Sequence, residues 1–252
     1  MATQPLPARE APVVGAGTPP ITTSFLYGHP DLRFRMLGLE DFRQGNYADA
    51  LAFFRRASYY GDKPSQGMVA EMLHDGRGTA PDPVQAYVWM DLAAERGYRG
   101  FLGLRERYWN ELDEAQRARA IEEGQPVFAE YGDAATQPRL ARMLRRERLK
   151  MTGSRAGNVG NVGNLRVYVN VDNGYVQIDG SKFYDKRLWD PALYREWQDS
   201  IWMSPRIGTV TVGAPEQIDQ ASRIPAAAPE FDAPEPVTPE RDESGLGKPR
   251  DD

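Results

Sequence analysis

The sequence contains no cysteine and only two histidines, His29 and His74. The absence of cysteine excludes disulfides, thiolate-bound metals and a cysteine nucleophile. Two histidines that lie far apart in the chain do not make a zinc site without further ligands. The sequence also lacks the G-x-S-x-G motif of serine hydrolases and the glycine-rich motifs that bind phosphates or dinucleotides. We therefore predict no catalytic residues, no metal site and no cofactor, and expect a protein that is not an enzyme.

Long apolar runs and a basic net charge are also missing. No run approaches the ~18 apolar residues that a transmembrane helix needs, so no transmembrane segment is predicted. The formal net charge of -5 at pH 7 argues against a general nucleic-acid-binding protein, and no nucleic-acid partner is expected. A hydrophobic content of 40% nevertheless supports a folded core.

Residues 1–30 are rich in proline, alanine, threonine and glycine, and they lack the hydrophobic region of a signal peptide. A lead-in of this composition suits a tether between a membrane anchor and a folded body. We therefore expect a bacterial periplasmic or cell-envelope protein, such as a lipoprotein, with its signal or lipid anchor removed ahead of residue 1. A cytoplasmic location is the alternative.

The main positive signal is an amphipathic segment that occurs twice, 36 residues apart, at 46–61 and 82–97. Its apolar residues recur with i, i+3, i+4, i+7 spacing, which places them on one face of an α-helix. Both copies end in glycine, where a left-handed cap residue carries no Cβ penalty. The shared face is formed by Ala50, Phe53, Phe54 and Ala57 in the first copy and by Ala86, Trp89, Met90 and Ala93 in the second. A period of this length, built from helix pairs, predicts an α-solenoid.

The second copy of the repeat, 67–97, contains glycine, aspartate, alanine and tryptophan residues at characteristic spacings. These are Gly76-Arg77-Gly78, Asp82, Ala86 with Trp89, and Ala93-Ala94 with Gly97. With this pattern the chain, over about residues 35–110, resembles the Sel-one-like repeats, which are bacterial relatives of the tetratricopeptide repeats. The first unit is degenerate, and Val69-Ala70 replaces the leucine–glycine pair of that family. The resemblance implies a right-handed α-solenoid that binds proteins or peptides on its curved surface without catalysis.

The spacing of apolar residues changes after residue 152, from a helical period to the alternation typical of a strand. Residues 165–180 alternate as a strand does, with Asn173-Gly174 as a hairpin turn, and 208–214 predict another strand. Further helices are expected up to 152, including one that Asp113 caps and that Pro126 kinks or interrupts. The predicted fold class is α+β, with an N-terminal α-solenoid followed by a small antiparallel β portion with one short helix. The predicted domains are a disordered lead-in at 1–30, a Sel-one-like repeat domain at 31–152, a Gly/Asn linker at 153–164, a β-rich capping portion at 165–213 and a disordered acidic tail at 214–252.

Charged residues cluster in two places. Residues 139–155 hold seven basic residues and one acid, whereas 214–252 hold ten acids and four bases. The basic run is interpreted as a solvated helix face, as a surface for an acidic partner or anionic headgroups, or as a docking site for the acidic tail. The acidic pairs Asp91/Glu95 and Glu122/Glu123 are interpreted as solvated helix surface rather than as a glycosidase-like pair.

Aromatic and basic residues supply the candidate binding positions. Four aromatics lie near repeat ends, where we expect them to be exposed, and two tyrosines belong to the predicted hairpin. The candidate binding residues are Tyr59, Tyr60, Tyr98, Phe101, Arg142, Arg146, Tyr168 and Tyr175. The first hypothesis is a non-catalytic adaptor that binds a protein or peptide on the solenoid. The alternative is a cell-envelope protein that recognises a glycan or peptidoglycan fragment through the aromatic β portion.

Overall fold

The computed structural model describes residues 21–152, 166–171, 174–204 and 221–241. The helices in these ranges are α1 (Thr23–Gly28), α2 (Pro30–Gln44), α3 (Tyr47–Ser58), α4 (Lys63–Asp75), α5 (Pro83–Ala93), α6 (Arg99–Glu111), α7 (Glu114–Tyr131), α8 (Asp133–Thr152), α9 (Gly180–Phe183), α10 (Lys186–Trp189) and α11 (Pro191–Met203). The strands are β1 (Arg166–Val171) and β2 (Gly174–Asp179). No helix in the part that the structure describes has the length and apolar content needed to cross a bilayer.

The predicted α+β class is wrong, because the described part of the chain is mostly α. In the described residues the only paired strands are β1 and β2, with Arg166 opposite Asp179. Beyond β2 the described chain is helical as far as Met203, whereas one short helix was predicted there. Asp179 and Asp185 explain the change, since each side chain accepts a backbone N–H and starts a short helix. The predicted linker at 153–164 and the predicted strand at 208–214 lie outside the described residues.

The described chain divides into two compact units. The described residues of the first unit are 21–29, 143–152, 166–171 and 174–194. Those of the second unit are 30–142, 195–204 and 221–241.

The first unit has an aromatic core around α1. Phe25 stacks on His29 and meets Trp189 edge-on, and all three side chains are buried. The two ring nitrogens of His29 lie 2.8 Å from the Phe25 carbonyl oxygen and 2.7 Å from that of Leu188. The prediction of a disordered lead-in is therefore wrong for residues 21–29, while 1–20 lie outside the described residues. The reason is that two adjacent apolar residues, Phe25 and Leu26, are too few to give a periodic signal but enough to anchor a short helix.

Packed helices form the body of the second unit. α2 packs on α3, α3 on α4, α4 on α5, and α5 contacts both α6 and α7. The eight residues of the shared apolar face are all buried. Asp62 and Asp82 cap α4 and α5, each by accepting a backbone N–H three residues on. The predicted helices therefore form and bury the predicted face, while their assignment to a repeat family stays a prediction.

α7 contains a proline, which usually kinks or interrupts a helix. It runs without interruption from Glu114 to Tyr131 with Pro126 inside it, so the predicted interruption is wrong. Asp113 and Gln116 form a reciprocal capping box at its start, and the helix packs against α5. Packing along the helix thus outweighs the one backbone hydrogen bond that proline removes.

Candidate functional site

An extended segment, residues 221–241, lies across the helices of the second unit, and we call it the strap. It contains neither helix nor strand. Its successive contacts fall on α5 and α6, then α7 and α8, then α3, and finally α2. The prediction of a disordered tail at 214–252 is therefore wrong for 221–241. The strap is anchored by isolated side chains and by main-chain contacts, and anchors of these kinds produce no periodicity in a sequence rich in proline, alanine and acids.

The first end of the strap enters a buried cluster of charges, which we call the clamp: Asp91 of α5 with Arg105 and Glu106 of α6. Arg223 of the strap binds the Glu106 carboxylate with both Nη atoms, at 2.9 and 2.6 Å. The Ser222 hydroxyl donates to Asp91. Arg105 lies between the two acids, with Nη1 3.4 Å from Asp91 and Nη2 2.8 Å from Glu106. Two cations thus face two carboxylates, and one of the cations belongs to the strap.

The electrostatics of the clamp depend on the strap. The hydrogen bonds from Arg223 hold the pKa of Glu106 below its usual range, with Arg105 acting in the same direction. Burial raises the pKa of Asp91, although the hydrogen bonds from Ser222 and Arg105 oppose this. The interpretation of Asp91 as solvated helix surface is wrong, because its residue is only 1% exposed. Since i, i+4 spacing fixes only the helix face, it could not reveal that this face is covered.

Beside the clamp, Ile224 fits against a helix that carries no side chain at the contact point. The residue is buried, and its side chain occupies the space where a Cβ at Gly124 of α7 would stand. Arg223 also lies over the Trp109 ring, with its guanidinium carbon 4.9 Å from the centroid. Gly124 therefore lets the strap approach the α7 backbone closely.

The middle of the strap is held by its main chain. The Glu230 N–H donates to the Ala129 carbonyl oxygen at 2.7 Å, and Arg139 donates to the Glu230 carbonyl oxygen at 2.6 Å. Arg139 also donates to the Tyr59 carbonyl at 2.9 Å and lies 3.9 Å above the Tyr59 ring. The contacts to Glu230 are made with main-chain atoms of the strap, so they do not depend on the identity of its side chains.

The last part of the strap, residues 233–241, makes both main-chain contacts and contacts between charged side chains. The Tyr59 hydroxyl donates to the Ala233 carbonyl oxygen at 2.7 Å. Arg56 of α3 donates to the Glu235 carboxylate and to the Thr238 hydroxyl, both at 2.6 Å. Arg241 ends the strap with an ion pair to Asp41 of α2, at 2.6 Å.

A cleft of about 450 Å³ lies beside this end of the strap. Its lining residues are Ala52, Arg55, Glu130, Tyr131 and the strap residues Pro234, Glu235, Pro236 and Val237. The strap thus leaves part of the surface beside α3 open.

Two predicted binding residues meet the strap, although not as exposed aromatics. Tyr59 and Tyr60 are buried, so their predicted exposure is wrong. Burial, followed by the nearby Glu235, raises the pKa of Tyr60. Tyr60 stacks against Phe34 inside the unit. The repeat end is covered because the chain turns directly into α4 and because the strap lies over Tyr59.

Tyr98 and Phe101 occupy a second location. Tyr98 is buried, so its predicted exposure is wrong as well, and its hydroxyl donates to Asp199 of α11. Phe101 is half-buried and stacks on Trp202, with centroids 6.0 Å apart. α11 covers both residues, which a reading of the repeat alone could not show.

The remaining candidates are Arg142, Arg146, Tyr168 and Tyr175. Arg142 is exposed. Arg146 is exposed in the first unit and pairs with Glu147 at 3.2 Å. Tyr168 and Tyr175 stand in the β ladder opposite Gln177 and Asn170, and their side chains lie outside the described residues. A binding role for these eight residues, and the alternative of a glycan-binding β portion, stay predictions.

Sequence reasoning missed the residues that hold the strap most firmly. These are Arg56, Asp91, Arg105, Glu106, Arg139 and Arg223. The one available signal was the basic run, for which docking of the tail was among the interpretations. Of that run, Arg139 does contact the strap, but at a carbonyl oxygen rather than at an acidic side chain.

Comparison of the chain with models of protein families, with curated proteins and with solved structures found no match.

Proposed function

We propose that this protein is a non-catalytic interaction adaptor whose second unit binds an extended peptide segment of a partner protein. The helix pairs of that unit are, in this proposal, degenerate Sel-one-like repeats. The buried shared face and the loop glycines Gly76 and Gly78, with φ of 69° and 77°, are consistent with that assignment.

The observation that carries the proposal is the set of main-chain contacts to the strap. Helix residues pair with the amide of Glu230 and with the carbonyl oxygens of Glu230 and Ala233. Main-chain pairing gives affinity for an extended peptide, and flanking side-chain sites give selectivity. A surface of helices that already accommodates one extended segment has the chemistry required to bind another.

The test is site-specific photo-crosslinking of the full chain in its native cells. A photoreactive residue replaces Arg55, which is exposed and lines the cleft beside the strap. The matched control replaces Arg107, which is exposed and pairs with Glu111 on its own helix. We expect a defined segment of another protein to crosslink at position 55 but not at 107, and excess synthetic 221–241 peptide to suppress it. Identical products at both positions, or none at position 55, contradict the proposal.

A further inference from the structure

The clamp is built for a cation that the helices themselves do not supply. Asp91 and Glu106 are buried, and among the helix residues described at the clamp only Arg105 lies between them. Without Arg223, two carboxylates share one guanidinium in a site shielded from water. Leaving a buried charge uncompensated is strongly unfavourable. An occupant of the clamp therefore has to bring a positive charge.

The geometry favours arginine over lysine. Arg223 binds both Glu106 oxygens at once and lies over the Trp109 ring. Only a planar fork can do both, because an ammonium group is a compact point charge. The residue before it places a hydroxyl on Asp91, and the residue after it places an aliphatic side chain on Gly124. The triplet Ser222-Arg223-Ile224 thus matches three adjoining sites on α5, α6 and α7.

The second selective position lies 12 residues further along the strap. There Arg56 of α3 takes the Glu235 carboxylate and the Thr238 hydroxyl. Between these two positions the contacts are made with the backbone of Glu230 and Ala233. The Ala233 side chain is buried, whereas that of Glu230 is exposed and is not selected by these contacts. The sites for Arg223 and Glu235 therefore have opposite charge preferences at a fixed separation, and Asp41 pairs with a base at the last strap residue.

We propose that the strap is a resident copy of the ligand of this surface. The partner is then an extended peptide with a small hydroxyl residue, an arginine and an aliphatic residue in sequence, followed about 12 residues later by an acid. It binds only when it displaces the strap. This inference rests on the proposed adaptor function, and it adds the chemistry of the partner and the competition with the strap.

Competition follows from covalent connection. A tethered segment acts at an effective concentration on the order of millimolar, so a free peptide of equal intrinsic affinity is strongly disfavoured. The apparent affinity for any external peptide falls by the fraction of molecules in which the surface is open. Weak ligands therefore do not displace the strap. Only a peptide that carries both the arginine for the clamp and the acid for Arg56 competes with it.

The experiment measures binding of a fluorescein-labelled synthetic peptide of residues 219–241 by fluorescence anisotropy. The proteins are the full-length wild type and the full-length variant Arg223→Ala/Ile224→Asp, which alters the strap and leaves the clamp intact. Val237→Ala is the matched control, since Val237 belongs to the strap but is 90% exposed. Circular dichroism checks folding, and Arg223→Ala alone serves as the second variant if the double substitution does not fold.

We expect the double variant to bind the peptide at least tenfold more tightly than the wild type or Val237→Ala. The same peptide carrying Arg223→Ala loses about tenfold to a hundredfold in affinity, as expected for hydrogen bonds to a charged group. Adding Glu106→Gln to the double variant abolishes the preference for the arginine peptide.

Three outcomes overturn the inference. Equal binding of the arginine and alanine peptides refutes the clamp but leaves a peptide-binding surface, so the adaptor function survives. Rapid hydrogen exchange of the Glu230 amide would show that the strap has left the surface of a folded variant. If neither peptide binds to such a variant, both the inference and the adaptor function fail. If wild-type copies form dimers in which the strap of one copy crosslinks to the clamp of the other, the occupant is a second copy rather than a foreign partner.

Discussion

The guanidinium of Arg223 lies fork to fork on the carboxylate of Glu106, with nitrogen–oxygen distances of 2.9 and 2.6 Å, although 117 residues separate the two in the chain. This pair adds a second arginine to the two acids and one arginine of the clamp, where the strap meets α5 and α6. A bidentate pair that is largely removed from water is stronger than a surface ion pair. The position of the strap therefore depends on it more than on any exposed charge.

Loss of this pair should destabilise the protein measurably. Arg223→Ala leaves Glu106 and Asp91 to share Arg105, and we expect the free energy of unfolding to fall by about 1.5–3 kcal/mol. The control Arg107→Ala removes an ion pair whose arginine side chain is 62% exposed. It should cost much less, because an ion pair exposed to solvent contributes little to stability. Urea denaturation of the two variants measures both values, and equal losses would show that the clamp contributes no more than a surface pair.

Acid should weaken the clamp through Glu106. The pKa of this carboxyl is lowered in the folded state, chiefly by the hydrogen bonds from Arg223, from an ordinary value of 4.5. Its contribution to stability is therefore complete above pH 4.5 and is lost as the pH falls through the folded-state pKa. We expect the urea midpoint of the wild type to fall more steeply below pH 4.5 than that of Arg223→Ala. Parallel curves for the two proteins would contradict this.

Lys63 of α4, a buried cation outside the clamp, should be essential for folding stability. Its Nζ donates to Gln66, to the Leu92 carbonyl and to Glu95, at 3.0, 3.1 and 2.6 Å, and lies 3.3 Å from Asp133. Lys63→Met removes the buried donor that these groups share and leaves Asp133 with Arg96 as its remaining cation, so we expect a loss of about 3–5 kcal/mol in urea unfolding. Adding Glu95→Gln should recover part of it. A loss below about 1 kcal/mol in Lys63→Met would refute this role.

The variant Lys63→Met should also be more sensitive to acid than the wild type. Burial acts to raise the pKa of Asp133, but Lys63 and Arg96 together hold it well below its usual value. That stabilisation is present above pH 3.8 and is lost as the pH falls through the folded-state pKa. Without Lys63 the pKa of Asp133 rises, so acid unfolding of Lys63→Met should begin at higher pH than in the wild type. Circular dichroism between pH 5 and pH 2 measures the onset.

His74 should titrate above its ordinary pKa of 6.5. Burial lowers the pKa, but hydrogen bonds to Glu111 at 2.7 Å and Asp75 at 3.1 Å outweigh it. Its contribution to stability is complete below pH 6.5 and is lost as the pH rises through the folded-state pKa. We expect NMR titration to give a lower pKa for His74 in Glu111→Gln than in the wild type. Glu123→Gln, which alters an acid that pairs with Arg119, is the control and should leave it unchanged.

Local patterns in the sequence determined the helices of the second unit. The i, i+3, i+4, i+7 spacing of Ala50, Phe53, Phe54 and Ala57 identified one buried face, and Asp113 marked the start of α7. These features are legible because a helix is stabilised by residues within four positions of one another.

Only the tertiary structure decided what lies on those helices. The strap has no periodicity, and its helix partners lie 91 residues or more earlier in the chain, as for Arg139 with Glu230 and Arg223 with Glu106. The burial of Asp91, Lys63 and Tyr98 likewise depends on which distant segment covers each one. A charged residue on a helix looks solvated in sequence whether or not another segment pairs with it. The candidate site is formed by long-range pairs of this kind, and for that reason the sequence pattern did not contain it.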